Sequence, residues 1–93
     1  MKVFVYGIFC DPATRRSILG RDIETGFFEL SGYGLGIHRS CGFKTIYKDD
    51  NESVMGQTFE ATPEDLLVMD KVEGVESGLY RRVEEQGVIF YLE

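Results

Sequence analysis

Both prolines of the chain stand directly behind a helix-capping residue, and these two start signals constrain the fold more than any other feature of the sequence. Asp11-Pro12 and Thr62-Pro63 each set an N-cap side chain before a proline at the first helical position, where its missing N–H is no loss and its fixed φ suits the helix. Gly20, just past Ile18-Leu19, closes the first helix. In the second, Glu64 and Asp65 favour the positive end of the helix dipole, Leu66, Leu67, Met69 and Val72 follow at helical spacing, and the element stops near Glu73-Gly74. Two short helices are therefore predicted, and most of the remaining chain must be strand.

Val3-Phe4-Val5-Tyr6 is β-branched and aromatic and runs into Gly7, as a buried strand ending at a turn does. Thr25 to Leu30 and Tyr33 to His38 are strand-like, with Gly32, Gly34 and Gly36 at alternating positions. Either something approaches that bare face closely or the strand bends there. Phe43 to Tyr47 and Ser53 to Ala61 flank the polar run Lys48-Asp49-Asp50-Asn51-Glu52, which predicts a turn between two strands. Leu79 to Glu84 and Val88 to Leu92 form a last pair joined around Gln86-Gly87. The order is strand, helix, several strands, helix, two strands, with no linker or repeat. At 93 residues this is one α+β domain, 1–93.

Composition narrows the partners. Sixteen acidic against ten basic side chains give a net charge of -6, which repels a nucleic-acid backbone. No apolar run approaches the length that spans a bilayer and no signal peptide precedes the first strand, so a cytoplasmic protein without membrane contact is expected. Cys10 and Cys41 have no CxxC spacing and His38 is the sole histidine, so neither a metal site nor another cofactor is expected and the cysteines read as free thiols. Gly32-Tyr33-Gly34-Leu35-Gly36-Ile37 fails as a dinucleotide loop, because Ile37 stands where the third glycine belongs and no helix follows. A Cys10–His38 dyad lacks any local orienting group. Arg15-Arg16 and Arg81-Arg82 read as solvated faces, the second pair also as a carboxylate recogniser.

Several blocks occur together in a fixed order: Val3-Phe4-Val5-Tyr6-Gly7-Ile8-Phe9, then Gly56-Gln57-Thr58-Phe59, then Met69-Asp70-Lys71-Val72-Glu73-Gly74, then Tyr80-Arg81-Arg82. Over about residues 2 to 84 they resemble the γ-glutamylcyclotransferase-like family, in its γ-glutamylamine cyclotransferase and avirulence-induced-gene-like branch. The resemblance implies a small mixed β-barrel of about six strands with two short flanking helices. It implies a cavity between the Tyr-Gly loop and the acidic helix end, and a small-molecule γ-glutamyl substrate. Members convert γ-glutamyl amines or peptides to 5-oxoproline: the substrate's α-amine attacks its own γ-carbonyl and expels the amine. Glu73 falls on the family's catalytic glutamate. Tyr6, Gly7, Ile8, Phe9 and Tyr80 fall on substrate-binding positions, the turn offering backbone N–H groups to a carboxylate or oxyanion. Ile8 replaces the usual Ser or Thr, so no hydroxyl stands there. Many relatives also continue past the point where this chain ends, which implies a more open site. Asp70 and the helix dipole are expected to raise the proton affinity of Glu73. The same cavity without turnover would make a module that binds a small molecule or a protein.

Overall fold

Both helix starts are built as the sequence dictates. In the computed structural model, which describes residues 1–93, the Asp11 carboxylate accepts the Thr14 N–H at 3.0 Å and opens α1 (Pro12–Leu19). The Thr62 hydroxyl accepts from Asp65 N–H at 3.1 Å while the Asp65 carboxylate accepts from Thr62 N–H at 2.9 Å, a reciprocal capping box that opens α2 (Pro63–Val72). Arg21 then clamps Asp65 through two guanidinium nitrogens at 2.7 and 2.6 Å, tying the exit of α1 to the entry of α2. Neither helix is long and apolar enough to cross a membrane.

Five strands form one sheet in the order β2-β3-β1-β5-β4, with β1 (Lys2–Val5), β2 (Gly26–Ile37), β3 (Lys44–Glu60), β4 (Arg81–Glu85) and β5 (Val88–Leu92). Only β1 and β5 run parallel; the other pairs are antiparallel. Alternation along β1 divides the core in two. Val3 and Val5 face the helices with Phe9, Phe59, Leu66 and Met69, whereas Phe4 faces the inside of the curled sheet with Leu30, Ile46, Val88 and Phe90. The sheet closes into a half-barrel whose two edges meet through side chains rather than a backbone ladder. The Tyr33 hydroxyl donates to Glu85 at 2.8 Å, and Gln86 brackets Ser31 with bonds of 2.8 and 3.2 Å.

Five strands stand where about six were expected, because neighbouring segments merge. Ser31 pairs with Ser53 but Tyr33 pairs with Lys48, so Gly32 alone faces residues 49–52. The polar run read as a turn is thus a bulge inside β3, braced by Asn51 N–H on the Asp49 carboxylate at 3.1 Å. Gly32, at φ 78, supplies the matching bend in β2. Beyond the bulge the Tyr47 ring lies across Gly34 and Gly36; a Cβ added at Gly34 would meet it at 2.8 Å. The alternating glycines therefore both bend the strand and admit an aromatic cover. At Gly56 a Cβ would strike the Val5 carbonyl and the Phe4 ring, so this glycine lets β3 lie against β1.

Candidate active site

The end of β1 turns at Gly7 into a single 3₁₀ turn (Ile8–Cys10), and this turn forms one wall of a cavity of about 560 Å³. Arg15 holds the wall in place. Read from the sequence as a solvated residue, it is 5% exposed and donates to the carbonyls of Phe9 at 2.8 Å and Cys10 at 3.1 Å. Those bonds consume carbonyls of the turn and leave its amides alone. The N–H groups of Gly7, Ile8 and Phe9 donate to no protein acceptor.

The opposite wall is the end of α2. Glu73 is its C-cap, and Gly74 at φ 66 reverses the chain, with Val75 N–H on the Asp70 carbonyl and Gly74 N–H on the Lys71 carbonyl. This double bond pattern satisfies the last carbonyls of the helix and requires a left-handed residue after the cap, which is the local reason for the Glu-Gly pair. The reversal leads back through Leu79 to Tyr80 on the cavity wall. A third wall is the β2–β3 hairpin, residues 38–43. His38 Nδ1 accepts from Ser40 N–H at 3.0 Å, so Nε2 carries the proton it gives to the Leu79 carbonyl at 2.6 Å. His38 therefore fastens the hairpin to the Leu79-Tyr80 segment. The Cys10 thiol points instead to the Val5 carbonyl at 3.5 Å, and burial pushes its pKa up, so no thiol–imidazole dyad exists.

All the residues singled out by the sequence, Tyr6, Gly7, Ile8, Phe9, Glu73 and Tyr80, line this one cavity. The Glu73 carboxylate accepts no hydrogen bond from the protein, and burial pushes its pKa up to about 7. Asp70 contributes nothing to that rise, contrary to the expectation from its spacing. Its carboxylate is held by the Tyr91 hydroxyl at 2.6 Å and by Arg82 at 3.1 Å. Desolvation by burial is the cause of the rise, at a helix end whose Asp70 and Lys71 carbonyls are taken by the Val75 and Gly74 N–H groups. Arg82 is accordingly neither a free solvated residue nor a carboxylate recogniser in the cavity, and Arg81 belongs to a separate groove on the β4 side.

The two tyrosines serve the frame. Tyr6 donates its hydroxyl proton to the Tyr91 carbonyl and Tyr80 donates to the Lys44 carbonyl at 2.7 Å; burial raises both phenol pKa values. Each oxygen retains lone pairs, so toward a ligand these hydroxyls are acceptors. Sequence reasoning missed Lys44, which lines the same cavity and whose carbonyl receives the Tyr80 hydroxyl, and the apolar contributors Ile37, Phe43 and Val72. They come from a hairpin and a helix end whose convergence no periodicity announces.

Solved structures with this architecture extend the comparison. A protein of Arabidopsis thaliana, solved in solution, shares 28% identity at a TM-score of 0.79, over 98% of this chain and 66% of its own. YkqA of Bacillus subtilis shares 26% at a TM-score of 0.78, over 99% of this chain and 39% of its own. A protein described as gamma-glutamyl cyclotransferase matches at a TM-score of 0.78 with 21% identity, over 99% of this chain and 65% of its own, a likeness of fold. The chain thus spans less than two thirds of the length of these proteins. No curated protein sequence matches it. The family model described as "Gamma-glutamyl cyclotransferase, AIG2-like" matches residues 3–89, which takes in the Tyr-Gly turn, the Glu-Gly helix end and the strands between, and on that match the chain belongs to this family.

Proposed function

We propose that this chain releases 5-oxoproline and a free amine from a γ-glutamyl amine or peptide by intramolecular aminolysis, with Glu73 as the base. The observation that carries this reading is an unbonded carboxyl, pushed up to about 7, in the same cavity as three unbonded backbone amides. A base with a pKa near the working pH both takes and returns protons efficiently. The ionised Glu73 accepts a proton from the substrate's α-ammonium. The freed amine then attacks the γ-carbonyl carbon, and the amides of Gly7, Ile8 and Phe9 receive the oxyanion or the α-carboxylate. As the ring closes, the attacking nitrogen loses a second proton, the bond to the amine breaks, and the amine leaves carrying both protons as an ammonium ion. Nucleophile and electrophile share one molecule, so a folded conformer held between two walls supplies most of what the reaction needs.

The test is 5-oxoproline formation from γ-glutamyl dipeptides, amines and glutathione, followed by mass spectrometry for the protein and for Glu73→Gln. Turnover should rise with pH through an acidic limb near 7, and the variant should lose about 10²–10⁴-fold. An unchanged profile in Glu73→Gln would remove Glu73 from the role. Absence of product from every donor would favour a module that binds without turnover.

A further inference from the structure

Arg15 is a buried cation without a carboxylate. The residue is 5% exposed, forms no ion pair, and leaves Nε without an acceptor. Its bonds all run from Nη1: to the Phe9 carbonyl at 2.8 Å, the Cys10 carbonyl at 3.1 Å and the Gln57 side-chain oxygen at 3.4 Å. A buried charge whose partners are all neutral is costly, and nothing beside it cancels its field. The two carbonyls it holds are the far ends of peptide relays. The Phe9 carbonyl shares its peptide group with the Cys10 N–H, which donates to the Gly7 carbonyl at 3.0 Å, and that carbonyl shares its own peptide group with the Ile8 N–H. In parallel, the Cys10 carbonyl is joined to the Asp11 N–H, which donates to the Ile8 carbonyl at 3.2 Å, and that peptide group carries the Phe9 N–H. Both relays end on amides without a protein acceptor, in residues that line the cavity of Glu73.

Resting on the cyclotransferase reading above, we infer that Arg15 is a positioning residue of the reaction, whose charge acts through both relays to fix and polarise the Ile8 and Phe9 amides toward the oxyanion. Each peptide group along the relays turns its carbonyl to the cation, so electron density is drawn the same way at every link and the last N–H becomes a stronger donor. A neutral side chain at this place could brace the turn; only a cation also polarises it. The Gly7 N–H, joined to the Tyr6 carbonyl, belongs to neither relay.

Gln57→Glu sets a carboxylate beside Nη1 and leaves the turn and Arg15 in place, so it quenches the charge alone. The oxyanion exists only along the reaction path, so kcat for 5-oxoproline release should fall about tenfold, short of the ~10²–10³-fold of losing a whole donor, with KM nearly unchanged. Amide hydrogen exchange gives a readout apart from turnover. Ile8 and Phe9, with less acidic protons, should exchange several-fold more slowly in Gln57→Glu while Gly7 stays constant; loosening of the turn would speed exchange instead. Arg15→Gln, which keeps a donor without the charge, should repeat the fall in kcat per folded molecule, and Arg15→Lys should restore most of it. A parent-like kcat in Gln57→Glu, a rise in KM alone, unchanged or faster exchange at Ile8 and Phe9, or equal losses in Arg15→Lys and Arg15→Gln each overturns the inference, and 5-oxoproline from the parent protein then leaves the cyclotransferase reading intact. No 5-oxoproline from the parent with any donor overturns both.

Discussion

Replacing Glu73 by Gln should stabilise the protein, and the gain should appear only above the ordinary carboxylate range. The folded-state pKa of Glu73 is raised from 4.5 to about 7, so between these values the folded chain holds a proton that the unfolded chain has released. Stability therefore falls as pH rises from 4.5 to about 7, and above that range the ionised carboxylate imposes a constant penalty of about 3 kcal/mol. Below 4.5 both states are protonated and the penalty is absent. The glutamine side chain of the variant cannot ionise, so it escapes the penalty throughout. Its own packing or hydrogen-bonding effects do not vary with pH and cancel when the two proteins are compared at two pH values. Urea unfolding at pH 4.5 and pH 8.5 supplies the comparison. The midpoint difference between variant and parent should grow by about 2 M across that interval, using the slope of a small domain. A difference independent of pH, or one that shrinks as pH rises, would refute the claim that burial sets the Glu73 pKa. The same experiment separates stability from turnover: the variant expected to lose activity is the one expected to resist denaturant better at alkaline pH.

Two further outcomes follow from the helix ends. Asp65, whose carboxyl the Arg21 guanidinium and the Thr62 N–H hold down at about 2, contributes stability that is present above 3.8 and lost as pH falls toward 2. Asp65→Asn should therefore cost about 1–2 kcal/mol at pH 7, a figure reduced for the solvent around Arg21, and the cost should shrink in denaturation curves taken between pH 4 and 2. Gly74→Ala puts a Cβ on a residue at φ 66 and within 2.9 Å of the Leu79 Cβ, so it should cost about 1–3 kcal/mol in thermal or urea unfolding. Because Glu73 is the residue before the reversal, turnover should fall in the same variant more than the fraction unfolded explains.

Much of this architecture was legible because local chemistry decided it. Asp11-Pro12, Thr62-Pro63 and Gln86-Gly87 settle their own geometry within a few residues, and each forms the cap or turn that its residues demand. The run 48–52 deceived for the opposite reason. A polar, acidic stretch is equally suited to a turn and to a solvated bulge, and the choice was made by β2, which offers an unbroken edge from Gly26 to Ile37 and leaves β3 no need to reverse. Arg15, which reads from the sequence as part of a solvated face, departs from that reading for a related cause: the carbonyls of Phe9 and Cys10 in the 3₁₀ turn hold its guanidinium inside.

The cavity shows the same division between local and distant causes. Residues that belong to short motifs, Tyr6 to Phe9 and Glu73-Gly74, could be named from the sequence because each motif builds its own backbone shape. Lys44, Phe43 and Ile37 could not, since they reach the site only when the β2–β3 hairpin is pinned by His38 onto Leu79, a contact spanning 41 residues. That asymmetry has a functional consequence. Tyr6 to Phe9 and Glu73-Gly74 lie in motifs that the fold requires for its own turns and caps, whereas Lys44, Phe43 and Ile37 come from the β2–β3 hairpin, which His38 fastens to the Leu79-Tyr80 segment. Substitutions at Phe43 or Ile37, both largely exposed, should therefore reshape the cavity rim without disturbing the helix end that carries Glu73.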